Sequence, residues 1–366
     1  MMKKEFDRKL IFEDGQEYYG YGFGADAEAV CEIVFNTSMV GYQEILSDPS
    51  YADQAVVMTY PLIGNYGMAK DDYERDTPSI GALIVHAYYD EPSNFRSTAT
   101  LSEVMLKFGI PGISGIDTRK LNRSIRDFGT RKVLITGSST PLKDGLARLK
   151  STTLPRNAVS RVSCKQKIVS AASFPQYHVV AIDCGMKQNI VRSLNQRGCT
   201  VTAVPWNTSA ESIIALKPDG IFISNGPGDP SDVPETIAAV RHLLGKYPMF
   251  GICLGHQIIA LAKGGKTYKL KFGHRGGNHP VRNLETNQIE ITSQNHSYAV
   301  DANSLPGTGL TLTHINLLDH TVEGLQCAQD KAFSVQYHPE SAPGPQDSAY
   351  LFDRFIKLME DEQIHA

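Results

Sequence analysis

The stretch MFGICLGHQIIALAKGG, Met249 to Gly265, opens as a short apolar run and continues with helical spacing to a pair of glycines. Between the two lies Gly251-Ile252-Cys253-Leu254-Gly255, the form of a strand that turns abruptly into a helix. Glycines on either side of Cys253 remove Cβ atoms that would collide in so tight a turn. A thiol there sits at a helix N-terminus, where the helix dipole and free N–H groups favour thiolate. Taken alone, the string fits equally well a tight connection around a small buried cysteine.

Outward from this turn, apolar runs alternate with helical stretches. HVVAIDCG (178–185) precedes a helix over 188–197, CTVTAVPW (199–206) a helix over 210–216, and GIFISNGPGD (220–229) a helix over 234–244. This alternation predicts a doubly wound, mostly parallel sheet with helices on both faces, an α/β domain over 178–366. In such sheets ligands bind beyond the carboxyl ends of the strands, which is where Cys253 falls.

The first 150 residues read as a mixed α/β domain. RKLIFEDGQEYYGYGFG holds two alternating runs joined at Asp14-Gly15, a hairpin signal. TLSEVMLKFG predicts a helix capped by Ser102 and stopped at Gly109; DTRKLNRSIRDFG predicts another from Asp117 or Thr118 to Gly129. Residues 151–177 are polar, rich in Ser and Lys, and without period, and are expected as a surface linker.

With 36 basic and 39 acidic side chains and a net charge of −3, no polycationic surface draws the chain to nucleic acid or anionic lipid. Six cysteines, at 31, 164, 184, 199, 253 and 327, lack metal-ligand spacing and read as reduced thiols. MMKKEFDRKLIFEDG lacks the apolar core of a leader, and nowhere do eighteen apolar residues run together, so a cytoplasmic location is expected.

An acyl-transfer nucleophile needs a base, a group that orients the base, and oxyanion donors. In AFSVQYHPES (332–341) an apolar strand leads into His338-Pro339-Glu340, and alternate residues of an extended segment put His338 and Glu340 side by side. His338 then takes the thiol proton while Glu340 fixes its tautomer; the plainer alternative is a solvated pair at a strand end. SNGPGDP (224–230) offers a loop whose N–H groups, with that of Leu254, could receive an oxyanion, or is simply a turn. His274 and His279 in HRGGNH are assigned a loop role rather than a metal site, His256 a structural place at the helix start, and Cys184 a place in the core. The basic face of DTRKLNRSIR is either solvated or a contact with another chain.

Together, GPGDP (226–230), GICLGHQ (251–257) and HPE (338–340), in this order, resemble a class I, triad-type glutamine amidotransferase. VFNTSMVGYQEILSDPSY (34–51), TYPLIGNYG (59–67), PSNFRS (92–97), GIDTRKLNRSIRDFG (115–129), FGHRGGNHPV (272–281) and SQNHSYAVD (293–301) resemble the small-subunit family of carbamoyl phosphate synthetase, over about residues 8–358. The resemblance implies L-glutamine hydrolysis through Cys253, His338 and Glu340 and a γ-glutamyl thioester. Ammonia would pass to a large subunit that makes carbamoyl phosphate from bicarbonate and ATP. It further implies oxyanion donors at Gly226 and Leu254, and substrate contacts at Ser50, Gly226, Gly228, Leu254, Gln257, Asn295, Ser297 and Tyr298. Ser297-Tyr298 departs from the Gly-Phe of many relatives, which is mild if the contacts there are made by the backbone. No cofactor or metal is expected on this chain; ATP, Mg and K belong to the large subunit. The partners expected are that larger chain and L-glutamine, with neither nucleic acid nor membrane. Alternatives are the glutaminase subunit of another synthetase, against which the first 130 residues speak, or a catalytically silent regulatory subunit, against which the intact triad speaks.

Overall fold

The computed structural model describes residues 5–365, and the chain divides into two compact units at the Pro155–Arg156 bond. The N-terminal unit is built on strands β1 (Arg8–Phe12), β2 (Glu17–Gly24), β3 (Ala29–Asn36), β4 (Gln54–Met58), β5 (Leu62–Ile63), β6 (Ala82–Ile84), β7 (Ala87–Tyr88), β8 (Pro111–Ser114) and β9 (Lys132–Gly137). Seven of them close a barrel in the order β1-β2-β8-β6-β4-β3-β9, with β5 and β7 forming a separate parallel pair. The expected hairpin is present, Gly15 carrying its turn at φ 83°.

Helices α1 (Tyr42–Ser47), α2 (Leu101–Lys107), α3 (Thr118–Phe128) and α4 (Leu142–Ser151) belong to this unit. Asp117 caps α3 and Gly129 ends it, as the sequence predicts. The cap of α2 is Thr100, not Ser102, because Thr100 and Glu103 form a reciprocal capping box and Ser102 is left to accept from Gly24 N at 3.0 Å.

The C-terminal unit carries α5 (Ala158–Val162), β10 (Ile168–Ser170), β11 (Tyr177–Asp183), α6 (Gln188–Gln196), β12 (Cys199–Pro205), α7 (Ala210–Ile214), β13 (Gly220–Ile223), α8 (Pro234–Leu243), β14 (Met249–Ile252) and α9 (Leu254–Ala262). β15 (Thr267–Asn283), β16 (Ile289–Val300), β17 (Thr311–Asn316), β18 (Val322–Cys327), β19 (Ala332–Val335) and α10 (Tyr350–His365) follow. One sheet runs β10-β12-β11-β13-β14-β19-β18-β17-β15-β16. Its five strands from β12 to β19 are parallel, with antiparallel strands on both flanks. Residues 151–177, expected as a linker, contain α5 and β10, and β10 pairs with β12.

The parallel strands read as unbroken apolar runs because each feeds two cores. Val180, Ile182, Ile221, Ile223 and Met249 pack on one face, while Val179, Ala181, Phe222, Phe250 and Ile252 pack on the other. Phe250 sits at the centre of the second core, its ring stacked on Phe333 and edge-on to Phe222 and Phe352. Parallel register brings the carboxyl ends of β11, β13, β14 and β19, at Asp183, Ile223, Ile252 and Val335, to the same edge of the sheet. The segments that leave those ends carry Lys187, Gly226, Cys253 and His338. Among the described residues no helix is long and apolar enough to cross a membrane.

Candidate active site

Cys253 stands between β14 and α9 with φ 54° and ψ −103°, a conformation that costs a non-glycine residue about 1–3 kcal/mol. The flanking glycines make the turn possible. A Cβ on Gly251 would lie 2.8 Å from the Gly255 carbonyl, and one on Gly255 would lie 2.2 Å from Ile223 O of the neighbouring strand. The Cys253 N–H donates to Val335 O at 2.9 Å, which extends the β14–β19 ladder through the cysteine and ties it to the chain that leads to His338. Its thiol is buried and donates to Asn295 O at 3.5 Å.

β19 ends at Val335, so His338 and Glu340 lie on a turn and not, as expected, on an extended strand. The turn still brings them together: His338 Nδ1 is 2.7 Å from Glu340 Oε1. His338 N donates to Ser293 O at 2.9 Å, fixing the turn against β16. Burial opposes a charge on His338, but Glu340 and the nearby Cys253 sulfur outweigh it and raise the imidazole to about 10. Its Nε2 is buried without a hydrogen bond of standard geometry, and the Cys253 sulfur is one of the groups that raise the ring.

Glu340 has a second cation that sequence reasoning missed. Lys187, the residue just before α6, is itself buried and places Nζ 2.9 Å from Glu340 Oε1 and 2.9 Å from Ser341 O. Its backbone N donates to Asn225 Oδ1 at 3.1 Å, linking it to the SNGPGDP loop. Burial pushes the Glu340 carboxyl up, yet Lys187 and His338 together hold it down at about 2. Only its position just beyond the end of β11, on the edge that carries Cys253, could have pointed to this lysine.

Gly226 fits the oxyanion reading sterically. A Cβ there would meet Cys184 O at 2.3 Å and Leu254 Cδ2 at 2.8 Å, so this backbone lies directly against the elbow. Leu254 is the first residue of α9, and its N–H is one of those a helix leaves without an internal acceptor. Gly228 takes φ 90°.

Of the remaining predicted contacts, Gln257 is buried and its Nε2 donates to Tyr298 O at 2.8 Å and Gln336 Oε1 at 2.9 Å, so Oε1 is the part of its amide left for a ligand. Asn295, Ser297 and Tyr298 lie on β16, with the Ser297 hydroxyl accepting from Arg275 Nη2 at 2.5 Å. Ser50 belongs to the N-terminal unit, buried on a short turn whose N–H donates to Asp48 Oδ1 at 2.9 Å.

Cys184 is core, as expected, and burial pushes its thiol well up. His256 is also structural: wholly buried, it is 2.9 Å from Ser334 Oγ, and burial lowers it to about 3. His274 and His279 are not in a loop. Both lie on β15, and His274 meets carboxylates that the sequence places far away, Asp319 and Glu323. His274, His296 and Glu323 carry ligand atoms within 4.8 Å of one another, the one group among the described residues with that property. Both rings are already engaged by hydrogen bonds to protein groups.

Residues 180–358 match the model of the class-I glutamine amidotransferase family, and residues 10–135 that of the carbamoyl-phosphate synthase small chain, CPSase domain. Among curated relatives, a carbamoyl phosphate synthase small chain of Staphylococcus haemolyticus is 53% identical, covering 97% of this chain and 96% of its own. One of Bacillus caldolyticus is 52% identical, over 98% of this chain and 100% of its own. A carbamoyl phosphate synthase pyrimidine-specific small chain of Halalkalibacterium halodurans is 53% identical, over 98% and 99%. Among solved structures, a glutamine amidotransferase of Thermotoga maritima is 17% identical with a TM-score of 0.38, covering 51% of this chain and 86% of that one.

Proposed function

Since the chain belongs to the family of carbamoyl phosphate synthase small chains and carries its glutamine amidotransferase domain, we propose that Cys253, His338 and Glu340 hydrolyse L-glutamine and that the ammonia goes to a large chain for carbamoyl phosphate synthesis. The observation that carries this is the meeting, at one sheet edge, of a strained cysteine elbow with a buried His338–Glu340 pair.

His338 Nε2 accepts the Cys253 thiol proton, and the sulfur attacks the side-chain amide carbon of glutamine. The C=O π pair moves onto oxygen, where the N–H groups of Leu254 and Gly226 receive it. When the tetrahedral intermediate collapses, the C–N bond breaks and His338 gives its proton to the leaving nitrogen, so ammonia departs and a γ-glutamyl thioester remains. Water then attacks the thioester carbon while His338 takes its proton; collapse breaks the C–S bond, and the sulfur recovers the proton as glutamate leaves. Throughout, Glu340 holds the Nδ1 side of the ring, so Nε2 is the nitrogen that exchanges protons.

Substrate contacts are assigned to Ser50, Gly226, Gly228, Leu254, Gln257, Asn295, Ser297 and Tyr298. ATP, Mg and K are assigned to the large chain, and no cofactor to this one. A cytoplasmic location beside that partner suits this division of labour. Acid-quenched mass spectrometry of the assembled complex turning over glutamine tests the chemistry. A glutamyl adduct on the peptide containing Cys253 is expected; an adduct confined to another cysteine contradicts it.

A further inference from the structure

Behind the strand that carries Asn295 to Tyr298, buried polar groups form a chain of hydrogen bonds that the chemistry of the triad does not use. His274 Nε2 is 2.9 Å from Asp319 Oδ2, on the turn between β17 and β18. The amide of Gln294 bridges two imidazoles, 3.1 Å from His274 Nδ1 and 2.9 Å from His296 Nε2. His296 Nδ1 donates to Tyr298 O at 2.7 Å, and the same carbonyl accepts from Gln257 Nε2 at 2.8 Å. Gln257 reaches Gln336 Oε1, the Gln336 N–H donates to Glu323 O at 2.9 Å, and Glu323 Oε1 returns to within 3.6 Å of His274 Nδ1. His274, Gln294, His296, Gln257, Gln336 and Glu323 are all buried.

We propose that His274 is a positioning residue for glutamine: anchored by Asp319 and Glu323, it sets the Gln294–His296–Tyr298 side of β16 and, through Tyr298 O, the side chain of Gln257. The inference rests on the proposed glutaminase reading, which assigns Gln257 and Tyr298 to the substrate. Two features of the geometry carry it. No hydrogen bond joins His274 to Cys253 or His338, so its influence passes through the chain Gln294–His296–Tyr298 O–Gln257. Gln257 cannot turn its amide without breaking a bond to Tyr298 O or Gln336, and Tyr298 O cannot shift without releasing His296. Buried hydrogen-bonded groups of this kind are stiff, and losing one member leaves its neighbours unpaired in a medium where that is costly. Burial disfavours a charged His274, but its bond to Asp319 and the nearby Glu323 carboxylate outweigh it and raise it to about 9.

The test is steady-state kinetics of His274→Asn in the assembled two-chain enzyme, with glutamine and with added ammonia as nitrogen source. A positioning role predicts a rise of about tenfold in the KM for glutamine, with kcat within about twofold and ammonia-dependent synthesis unchanged. A change confined to kcat, or an unchanged KM, overturns it. Should that variant fail to fold, Asp319→Asn decides: Asp319 is partly exposed and its loss removes only the outer anchor. It is expected to raise KM in the same sense by a few fold, and an unchanged KM overturns the proposal. Wild-type enzyme that forms no carbamoyl phosphate from glutamine would instead reject the underlying glutaminase reading. One tightly bound metal per chain, found by elemental analysis and lost with His274→Asn, would show a metal centre in place of a hydrogen-bonded chain and overturn the proposal.

Discussion

The ammonium of Lys187 and the imidazole of His338 share one oxygen, Glu340 Oε1, at 2.9 and 2.7 Å. All three side chains are buried. A carboxylate placed between two cations is held ionised, and an ionised carboxylate is what keeps a histidine in one tautomer beside a thiol. Lys187 therefore acts on the chemistry without touching the reacting atoms.

Lys187→Met is expected to leave Glu340 as a buried charge with one partner fewer. Removing one member of a buried pair typically costs about 3–5 kcal/mol, so the variant should unfold at markedly lower denaturant. Lys187 is the largest influence holding the Glu340 carboxyl at about 2 against burial, and without it that carboxyl rises. Glutamine-dependent kcat/KM should then fall off on the acid side at higher pH than in wild type. A pH profile superimposable on wild type would refute the linkage.

Glu340→Gln removes the charge that raises His338. Burial works against the imidazolium, and the carboxylate with the nearby sulfur overcomes it to reach about 10. Without the carboxylate the ring loses its proton at lower pH, and the alkaline limb of the kcat/KM profile should move down by about one unit or more. The sign for stability follows from the same shift. The contribution of charged His338 is full below its ordinary 6.5 and is lost as pH rises through about 10. Glu340 acts oppositely: its contribution is present above its ordinary 4.5 and lost as pH falls through about 2. Urea unfolding of the wild type at a series of pH values should show both losses.

Gly255→Ala should be the most damaging single-carbon change near the site. The new methyl would meet Ile223 O, a backbone atom at the carboxyl end of the central strand β13, at 2.2 Å. Overpacking of this kind costs typically about 1–3 kcal/mol, and relief requires α9 to move away with Leu254 and Cys253. A lowered melting temperature together with lost glutamine use is expected. By contrast, Cys184→Ser, in the core and away from the triad, should leave glutamine use close to wild type. Equal damage from Cys184→Ser would contradict the roles given to the two cysteines.

Much of the site is legible in the sequence because its signals are local. Two glycines around a cysteine at a strand end can be read from five residues, and the steric contacts of Gly251 and Gly255 are their physical cause. The His338–Glu340 pair is legible from its spacing, although a turn and not an extended strand delivers it. Lys187 is not, since it lies 153 residues from Glu340 and only the parallel register of β11 with its neighbours unites them. His274 does not read as a strand residue because β15 breaks register between Lys269 and His274 and again between Gly276 and His279, which erases the alternation by which a strand is recognised. The N-terminal unit reads as strands and helices but not as a closed barrel, because closure depends on β9 pairing with β1, more than a hundred residues away.

The most direct test of the central claim is Cys253→Ser in the assembled enzyme, comparing carbamoyl phosphate formation from glutamine and from added ammonia. Loss of the glutamine-dependent rate with the ammonia-dependent rate intact is predicted, because only the thioester route passes through this sulfur. A variant that still uses glutamine at the wild-type rate would contradict the account.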